Sequence, residues 1–273
     1  MPEPMGFYTD TTVCIGCKAC EVACKEWNQL PAREGGRVEM SGDSYDNTCT
    51  LSGTNWRHVK FIEQFSADRS QGRWLMLSDV CKHCVRAGCL EVCPTGAIVR
   101  TEFDTVLIQS DVCNGCRLCI AACPFGVIDI NPASNTAQKC TLCYDRLQAG
   151  MKPACAQACP TDSIRFGPIR ELRVLAQARV QQLQAQGETR ARLYGADDEI
   201  LGGLNAFYLL VDTPETYGLP SAPRLPTHRL LAGTVLSTAA AALVGLVGLV
   251  SLRRRRVAEV AQAEARAPGN FGV

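Results

Sequence analysis

Sixteen of the 17 cysteines in this 273-residue chain fall into four groups of four, and this grouping constrains the fold more than any other feature. In chain order the groups are Cys14, Cys17, Cys20 and Cys24; Cys81, Cys84, Cys89 and Cys93; Cys113, Cys116, Cys119 and Cys123; and Cys140, Cys143, Cys155 and Cys159. The first and third groups have the spacing C-x2-C-x2-C-x3-C, which is typical of bacterial [4Fe–4S] proteins. The second and fourth have the same spacing with extra residues before the third cysteine. The sequence therefore predicts four [4Fe–4S] clusters.

Disulfide bonds and zinc sites are the two other uses that a chain makes of so many cysteines. A disulfide framework suits small chains without a core, and it avoids C-x-x-C pairs because their cysteines are too close for an easy bridge. Zinc groups pair two C-x-x-C motifs across a long loop, often with histidine. This chain has only three histidines, and its tight runs of three cysteines do not fit that pattern. A zinc- or disulfide-braced membrane anchor without redox function is the alternative from a different class. A visible absorption band that dithionite bleaches distinguishes the clusters from it.

The four cysteine runs must pair, because the fourth cysteine of such a run binds the neighbouring cluster. The second and third runs are close, with 19 residues between Cys93 and Cys113, so the first and fourth runs are left to each other. We number the resulting ligand sets. Set one is Cys14, Cys17, Cys20 and Cys159; set two is Cys24, Cys140, Cys143 and Cys155; set three is Cys81, Cys84, Cys89 and Cys123; and set four is Cys93, Cys113, Cys116 and Cys119.

Nothing else in the sequence indicates a catalytic site. It contains no glycine-rich nucleotide loop, no nucleophile elbow and no HExxH motif. Because cysteine supplies all four ligands of each predicted cluster, no iron is left open to a substrate. The 28 Lys and Arg residues balance 27 Asp and Glu residues, which excludes a bulk electrostatic affinity for nucleic acid. The sequence therefore predicts a non-catalytic subunit that relays single electrons.

Five cations lie next to predicted ligands in the sequence. They are Lys18, Lys82, Arg86, Arg117 and Lys139. An oxidised cubane with four thiolates carries a charge of about −2, so each cation either offsets that charge and tunes a potential or is an ordinary solvated surface group. The seventeenth cysteine, Cys49, lies in a polar loop and is expected to be a free thiol.

The remaining segments predict an α+β fold with two ferredoxin-like double-cluster units and one C-terminal transmembrane helix. Three runs end in Cys-Pro, and because proline fixes φ and lacks a donor, a strand is expected after each. Strands at 56–62 and 73–77 predict a hairpin, a helix is predicted from Pro168 to about Gln186, and an extended arm is predicted for 212–228.

The expected boundaries are 1–35 with 135–167 for the outer unit, 36–78 for an insertion with the hairpin, 79–134 for the inner unit, 168–228 for the helix and arm, 229–253 for the transmembrane helix and 254–273 for a cytoplasmic tail.

A run of 23 residues without a charge extends from Leu230 to Leu252. At about 1.5 Å per residue it exceeds the roughly 30 Å hydrocarbon core of a bilayer, which predicts a single-pass protein of the plasma (inner) membrane. Four arginines, Arg253–Arg256, follow directly, so the positive-inside rule places the C-terminus in the cytoplasm and the clusters on the periplasmic side. Met1–Asp10 has neither an apolar signal region nor twin arginines, so we expect the folded chain to cross attached to a partner.

Four stretches resemble the iron–sulfur (beta) subunits of membrane-bound formate dehydrogenases, among the electron-transfer subunits of molybdopterin oxidoreductases. They are CIGCKACEVACKEWN (14–28), CKHCVRAGCLEVCPTGAI (81–98), CNGCRLCIAACPFGVIDI (113–130) and KCTLCYDRLQAGMKPACAQACPTDSIRFG (139–167). The resemblance implies a catalytic alpha subunit, which carries a molybdenum or tungsten bis-pterin and one [4Fe–4S] cluster and oxidises formate. It also implies a membrane cytochrome b gamma subunit that reduces quinone, with sets one and two facing the catalytic subunit. The alternative is the same relay in a hydrogenase or in a polysulfide, tetrathionate or dimethyl-sulfoxide reductase.

Overall fold

The structure, a computed structural model, describes residues 3–31 and 45–266, without the side chains of 226–232 and 264–266. It contains both helices and strands, which confirms the predicted α+β class. The chain divides into two compact units, Met1–Leu225 and Pro226–Val273. All sixteen predicted ligands belong to the first unit.

Ten strands and seven helices lie in the described residues. The strands are β1 (Met5–Asp10), β2 (Arg57–Phe65), β3 (Gly72–Val80), β4 (Ile98–Arg100), β5 (Val106–Ile108), β6 (Asp129–Asn131), β7 (Thr136–Gln138), β8 (Ile164–Pro168), β9 (Arg192–Tyr194) and β10 (Ala206–Leu210). The helices are α1 (Ala19–Trp27), α2 (Gly88–Glu91), α3 (Leu118–Ala122), α4 (Tyr144–Gln148), α5 (Ala154–Gln157), α6 (Ile169–Ala185) and α7 (Pro226–Arg266). Helices α2 to α5 have only four or five residues each, because the chain turns at the cysteine pairs.

A four-stranded sheet with the order β8-β1-β10-β9 connects distant parts of the chain. β1 runs parallel to β10 and antiparallel to β8, so that Phe7 lies opposite both Ala206 and Phe166. All five residues of β10 are buried, as expected for an apolar strand that is covered on both faces. β1 precedes the first cysteine run and β8 follows the fourth, so their pairing brings these two runs together.

The predicted hairpin is confirmed as β2 and β3. The two strands pair antiparallel, from Arg57 opposite Val80 to Phe65 opposite Gly72. In the turn, the Asp68 carboxylate accepts from the Ser66 hydroxyl at 2.5 Å. Because β2 packs on α1 and β3 ends immediately before Cys81, the hairpin connects the first run to the second.

The strands expected after the Cys-Pro sequences are present. β4 follows the second run, β6 the third and β8 the fourth. β4 pairs with β5 and β6 with β7, so each of the two middle runs is followed by a small hairpin.

Helix α6 confirms the helix predicted from Pro168. Its apolar stripe is buried and packs on β1 and β8; the stripe is Ile169, Leu172, Ala176, Val180 and Leu183. Gly187 follows the helix with φ of 96°, a conformation that glycine adopts without steric cost and that ends helices.

The extended arm predicted for 212–228 is wrong over 212–225. Pro214–Tyr217 forms a 3-10 turn, and Tyr217 and Leu219 are buried. The Tyr194 hydroxyl donates to the Pro220 carbonyl at 2.5 Å. The sequence did not predict this packing, because a segment with four prolines is typical of an extended chain even where tertiary contacts fold it back. Residues 36–44 of the predicted insertion lie outside the described residues.

The second unit contains the helix α7. Its segment Gly233–Ala263 is long and apolar enough to cross a membrane, and none of its apolar window is buried in the structure. Leu236 and Val244 are more than 70 % exposed, and so much apolar surface is unfavourable in water. The helix confirms the predicted apolar segment and fits membrane anchoring. It continues past the predicted boundary at 253 to Arg266.

Candidate cluster-binding site

The first and third cysteine runs share one backbone conformation. Gly16 and Gly115 have φ of 65° and 70°, and two residues later Lys18 and Arg117 have φ of 58° and 65°. These left-handed residues curl the loop around the first two cysteines of each run, and a helix carrying the third cysteine follows. A Cβ at Gly115 would lie 2.3 Å from a backbone oxygen, so glycine is required there.

Backbone N–H groups point at cysteine sulfurs in the other two runs. The His83 N–H donates to Cys81 Sγ at 3.5 Å, and the Leu142 N–H donates to Cys140 Sγ at 3.3 Å. The donor stands two residues after the acceptor in both runs. Such N–H···S bonds stabilise the thiolate form and influence the potential of a bound cluster.

The cysteines of set one line a single pocket, which also contains Ser78 and Ser163. Burial raises the pKa of Cys14, and the charges of Cys159 and Cys17 act in the same direction. Three cysteines from the first run therefore neighbour one from the fourth, as the pairing of these runs requires.

The cysteines of set two are all buried, with 4 % to 7 % of their surfaces exposed. Burial raises the pKa of Cys140 to about 12, and the charges of Cys155 and Cys143 act in the same direction. Cys24 has these same three thiols as its charged neighbours. Helix α1, which carries Cys24, packs against α5, which carries Cys155.

The cysteines of set three meet where α2 packs on α3. Burial raises the pKa of Cys84 well above its usual range, and the charges of Cys81, Cys123 and Cys89 act in the same direction. Cys81 is buried and the other three are half-buried.

Set four is partly exposed to solvent, as set one is. Burial raises the pKa of Cys119 to about 11, and the charges of Cys113, Cys116 and Cys93 also raise it. Cys116 is exposed, and Cys93 and Cys113 are half-buried. The Ala137 N–H donates to Cys113 Sγ at 3.4 Å.

The donor chemistry of these groups fits iron–sulfur clusters. All 17 cysteines lie in the described residues, and none forms a disulfide. Within 3–31 and 45–266, no three His, Cys, Asp or Glu side chains converge closely enough to hold a single ion. The sulfur ligands of a cubane bind four different irons and stand farther apart than the ligands of one ion. Buried thiols with raised pKa values lose their protons only to a strongly positive partner, and iron is one.

The five cations next to ligands differ in burial. Lys82 and Lys139 are 1 % and 2 % exposed, Lys18 is half-buried, and Arg86 and Arg117 are exposed. Arg86 and Arg117 are therefore solvated surface groups, whereas Lys82 and Lys139 are not.

The buried lysines have polar partners inside the protein. Lys82 donates to the Asp79 carboxylate and to the Val80 carbonyl, the latter at 2.7 Å. Burial acts to raise the pKa of Asp79, yet the ammonium groups of Lys82 and Lys60 together hold it well below its usual range. Lys139 donates to the backbone oxygens of Val106 and Cys140.

Two buried side chains that are not cysteines lie near the predicted ligands. His83 Nδ1 accepts from the Val106 N–H at 3.1 Å, and burial holds its pKa well below the usual range, so the ring is neutral. Arg57, at the start of β2, is 2 % exposed. No motif marks Arg57, because a single arginine in a strand has no cluster-binding signature.

Cys49 belongs to none of the four groups. It is exposed, with φ of 62°, and its Sγ contacts the Asp46 carbonyl oxygen at 3.4 Å. The geometry agrees with the expected free thiol.

Comparison with known proteins identifies the type of site. Two family models, both described as a 4Fe-4S dicluster domain, match residues 13–97 and 72–169, which include all four runs. The chain is 42 % identical over 240 residues to the formate dehydrogenase iron-sulfur subunit of Haemophilus influenzae, covering 86 % of this chain and 75 % of that one. It is 41 % identical over 237 residues to the nitrate-inducible formate dehydrogenase iron-sulfur subunit of Escherichia coli, covering 85 % and 78 %. A component of the anaerobic dimethyl sulfoxide reductase of Escherichia coli is 35 % identical over 179 residues, covering 63 % and 78 %.

The fold, the thiol groups and the domain matches define a [4Fe–4S] dicluster protein with an electron-transfer role. The zinc- or disulfide-braced anchor is therefore set aside. The identity over most of both chains is more specific: the chain belongs to the family of formate dehydrogenase iron–sulfur subunits, as the resemblance predicted.

Proposed function

We propose that this chain relays single electrons through four [4Fe–4S] clusters held by sets one to four. The observation that carries the proposal is that each set is a group of neighbouring thiols drawn from two runs, with Cys24, Cys84 and Cys119 each surrounded by the other three members of its set. When bound, the clusters supply reversible one-electron oxidation and reduction at iron.

The residues around the clusters hold them rigidly, exclude water and stabilise their negative charge. Sixteen thiolates supply every ligand, so each iron is closed to substrate. The buried cysteines of set two exclude water, and N–H groups such as that of Leu142 stabilise the ligand charge. The packing of α1 on α5 and of α2 on α3 supports an outer unit of 1–35 with 135–167 and an inner unit of 79–134.

The partners in this proposal are those of a formate dehydrogenase. Electrons come from a catalytic alpha subunit, with a molybdenum or tungsten bis-pterin and one [4Fe–4S] cluster, that oxidises formate. They leave to a membrane cytochrome b gamma subunit that reduces quinone. The identity of 41 % and 42 % to formate dehydrogenase subunits favours this complex over the alternatives.

Helix α7 anchors the chain in the plasma membrane in a single pass. The positive-inside rule, applied to Arg253–Arg256, favours a cytoplasmic C-terminus with the cluster-bearing unit on the periplasmic side.

A second candidate is the same relay in a dimethyl-sulfoxide reductase. The 35 % identity to a component of that enzyme favours it specifically among the other respiratory complexes. The direction of electron flow would then reverse, from quinone to the catalytic subunit.

Purification of the intact complex from detergent-solubilised membranes tests the proposed function. We expect about sixteen iron atoms per copy of this chain beyond those of the catalytic subunit, a broad visible band that dithionite bleaches, and formate-dependent quinone reduction. Dimethyl-sulfoxide-dependent quinol oxidation without formate activity would select the second candidate. A colourless complex would refute both.

Protease treatment of spheroplasts tests the sidedness. Digestion of residues 3–225 in intact spheroplasts, with the segment after Arg256 protected, is the expected result. Digestion only after lysis contradicts it.

A further inference from the structure

Arg57 is a buried arginine without a carboxylate partner among the described residues. Its Nη1 donates to Ser78 Oγ at 2.9 Å, and its guanidinium lies over the Phe7 ring, 4.9 Å from the centroid. Its Nε and Nη2 have no hydrogen-bond partner within 3–31 and 45–266. Arginine does not lose its charge in proteins, and a buried charge with unsatisfied donors is costly. The described side chains therefore account for only part of its surroundings.

The guanidinium has cysteines of two different sets as its electrostatic neighbours. Burial opposes its charge, while Cys155 and Cys140 of set two and Cys20 of set one support it. Burial raises the pKa of both Cys20 and Cys140 to about 12, and Arg57 is the strongest opposing influence on each. Arg57 thus lies close to thiols of both sets one and two.

Ser78 connects the guanidinium to one ligand directly. Its Oγ accepts from Arg57 Nη1, which leaves its own hydroxyl hydrogen free to donate to Cys20 Sγ, 3.3 Å away. Ser78 is 1 % exposed, so water does not compete for these bonds. The positive charge reaches a set-one ligand through a single hydroxyl group.

Clusters bound by sets one and two would supply the negative charge and the hydrogen-bond acceptors that the Arg57 guanidinium lacks among the described residues. A cubane with four thiolates is negative, and its sulfur atoms accept hydrogen bonds. Clusters held by these two sets would provide both the opposite charge and acceptors for Nε–H and Nη2–H. Set three has different cations, since Lys82 acts on Cys84 and Cys123 and Lys139 acts on Cys89.

We infer that Arg57 is the shared counter-ion of the clusters in sets one and two and raises both of their reduction potentials. Each reduction adds a negative charge to a cluster, and a fixed positive charge in surroundings of low dielectric constant favours that reduced form. The inference rests on the proposed function, because it requires both clusters. It makes Arg57 a positioning and tuning residue and not a ligand.

Redox titration of the intact complex, followed by electron paramagnetic resonance, tests the role. In Arg57→Gln we expect the reduced-to-oxidised ratio of the clusters in sets one and two to fall at least tenfold at a fixed potential, or about 59 mV for one electron. The clusters of sets three and four should change less than threefold. Signals are assigned by their loss in Cys17→Ser for set one, in Cys89→Ser for set three and in Cys116→Ser for set four, and the signal of set two is the one that remains in all three variants.

Two further variants complete the experiment. Arg57→Lys keeps the charge but not the planar fork of donors, so its shift should be smaller than that of Arg57→Gln. Arg69→Gln removes the same charge from the exposed hairpin turn and should leave all four potentials unchanged. If Arg57→Gln does not fold, the threefold-or-greater fall that we expect for sets one and two in Arg57→Lys carries the test.

Unchanged potentials for sets one and two in a cluster-loaded Arg57 variant, or an equal shift in all four clusters, overturn the inference. Iron and sulfide content is measured on the same samples. Fewer than four clusters in the unmutated complex, beyond that of the catalytic subunit, would overturn the proposed function itself, so the two failures are distinguishable.

Discussion

Set two and set four each contain four thiols, but the surroundings of these thiols differ. Every cysteine of set two is buried, whereas set four has one exposed and two half-buried cysteines. Set two lies where α1 packs on α5, and α1 also packs on β2, which begins at Arg57. Set four is formed by loops around the five-residue helix α3. Four thiols drawn from two runs therefore form either a core element or a surface element, depending on what the rest of the protein packs against them.

This difference assigns different roles within a relay. In the proposed relay, a buried cluster would exchange electrons with neighbouring clusters, whereas one near the surface would be accessible to a partner protein. A buried cluster also replaces part of a hydrophobic core, so its loss removes packing as well as a redox centre.

The largest contrast is expected between Cys155→Ser and Cys116→Ser. Each removes one ligand, but Cys155→Ser also leaves three buried thiols and a void, so we expect it to destabilise the first unit by more than about 4 kcal/mol and prevent assembly. Cys116→Ser should lose cluster four and still assemble with its partners. Thermal unfolding and iron content of the purified complexes measure this, and equal destabilisation by the two variants would contradict the comparison.

A second contrast concerns cations beside the ligands. Lys82→Met leaves buried Asp79 with Lys60 as its remaining ion partner and should cost about 3 kcal/mol of unfolding free energy. Arg117→Met removes an exposed cation and should change stability by less than about 0.5 kcal/mol. Thermal unfolding of both variants is the measurement. A large effect of Arg117→Met would mean that the exposed loop is as tightly coupled to its surroundings as the core.

Asp212 offers a pH-dependent contrast that involves none of the four proposed clusters. Burial acts to raise the pKa of Asp212, but the Thr213 N–H and the guanidinium groups of Arg190 and Arg73 lower it overall. A lowered folded-state pKa means that the carboxylate stabilises the protein above about pH 4 and loses this effect as the pH falls further.

We therefore expect Asp212→Asn to cost about 1–2 kcal/mol at pH 7 and less below pH 4, with unchanged cluster spectra. The difference in thermal unfolding between wild type and variant, followed against pH, isolates this carboxylate because both proteins carry the same clusters. A difference that grows on acidification would reverse the assigned sign.

Cys49→Ser should have the smallest effect. Because this exposed thiol lies outside all four groups, stability should change by less than about 0.5 kcal/mol and all four clusters should be retained. Loss of any cluster in this variant would require new ligand sets.

The cysteine spacing was sufficient to predict which thiols are neighbours, because the pairing rule for such runs is local and chemical. Helix α6 and the hairpin followed from their hydrophobic periodicity. The central sheet was not predictable in the same way. β1 and β10 are short strands whose pairing depends on distant segments, and the prolines after β10 indicated an extended chain.

The surroundings of the ligands were the least predictable part of the site. Sequence adjacency selected Arg86 and Arg117, which are exposed, together with Lys82 and Lys139, which are buried. It missed Arg57, which reaches sets one and two through the fold of β2 and not through the sequence. Which cation reaches a buried thiol is a tertiary property, and spacing rules do not contain it.

The pairing of β1 with β10 also imposes an order on biosynthesis. The Thr11 hydroxyl donates to the Leu209 carbonyl at 2.7 Å, across 198 residues of sequence. At about 5–20 residues per second, a ribosome needs roughly 10–40 s to make the intervening residues. During that interval the first cysteine run has been made without the strand that fixes it, whereas the second and third runs complete each other early. The thiols of sets three and four are therefore all present once Cys123 has been made, whereas sets one and two each also need cysteines of the fourth run.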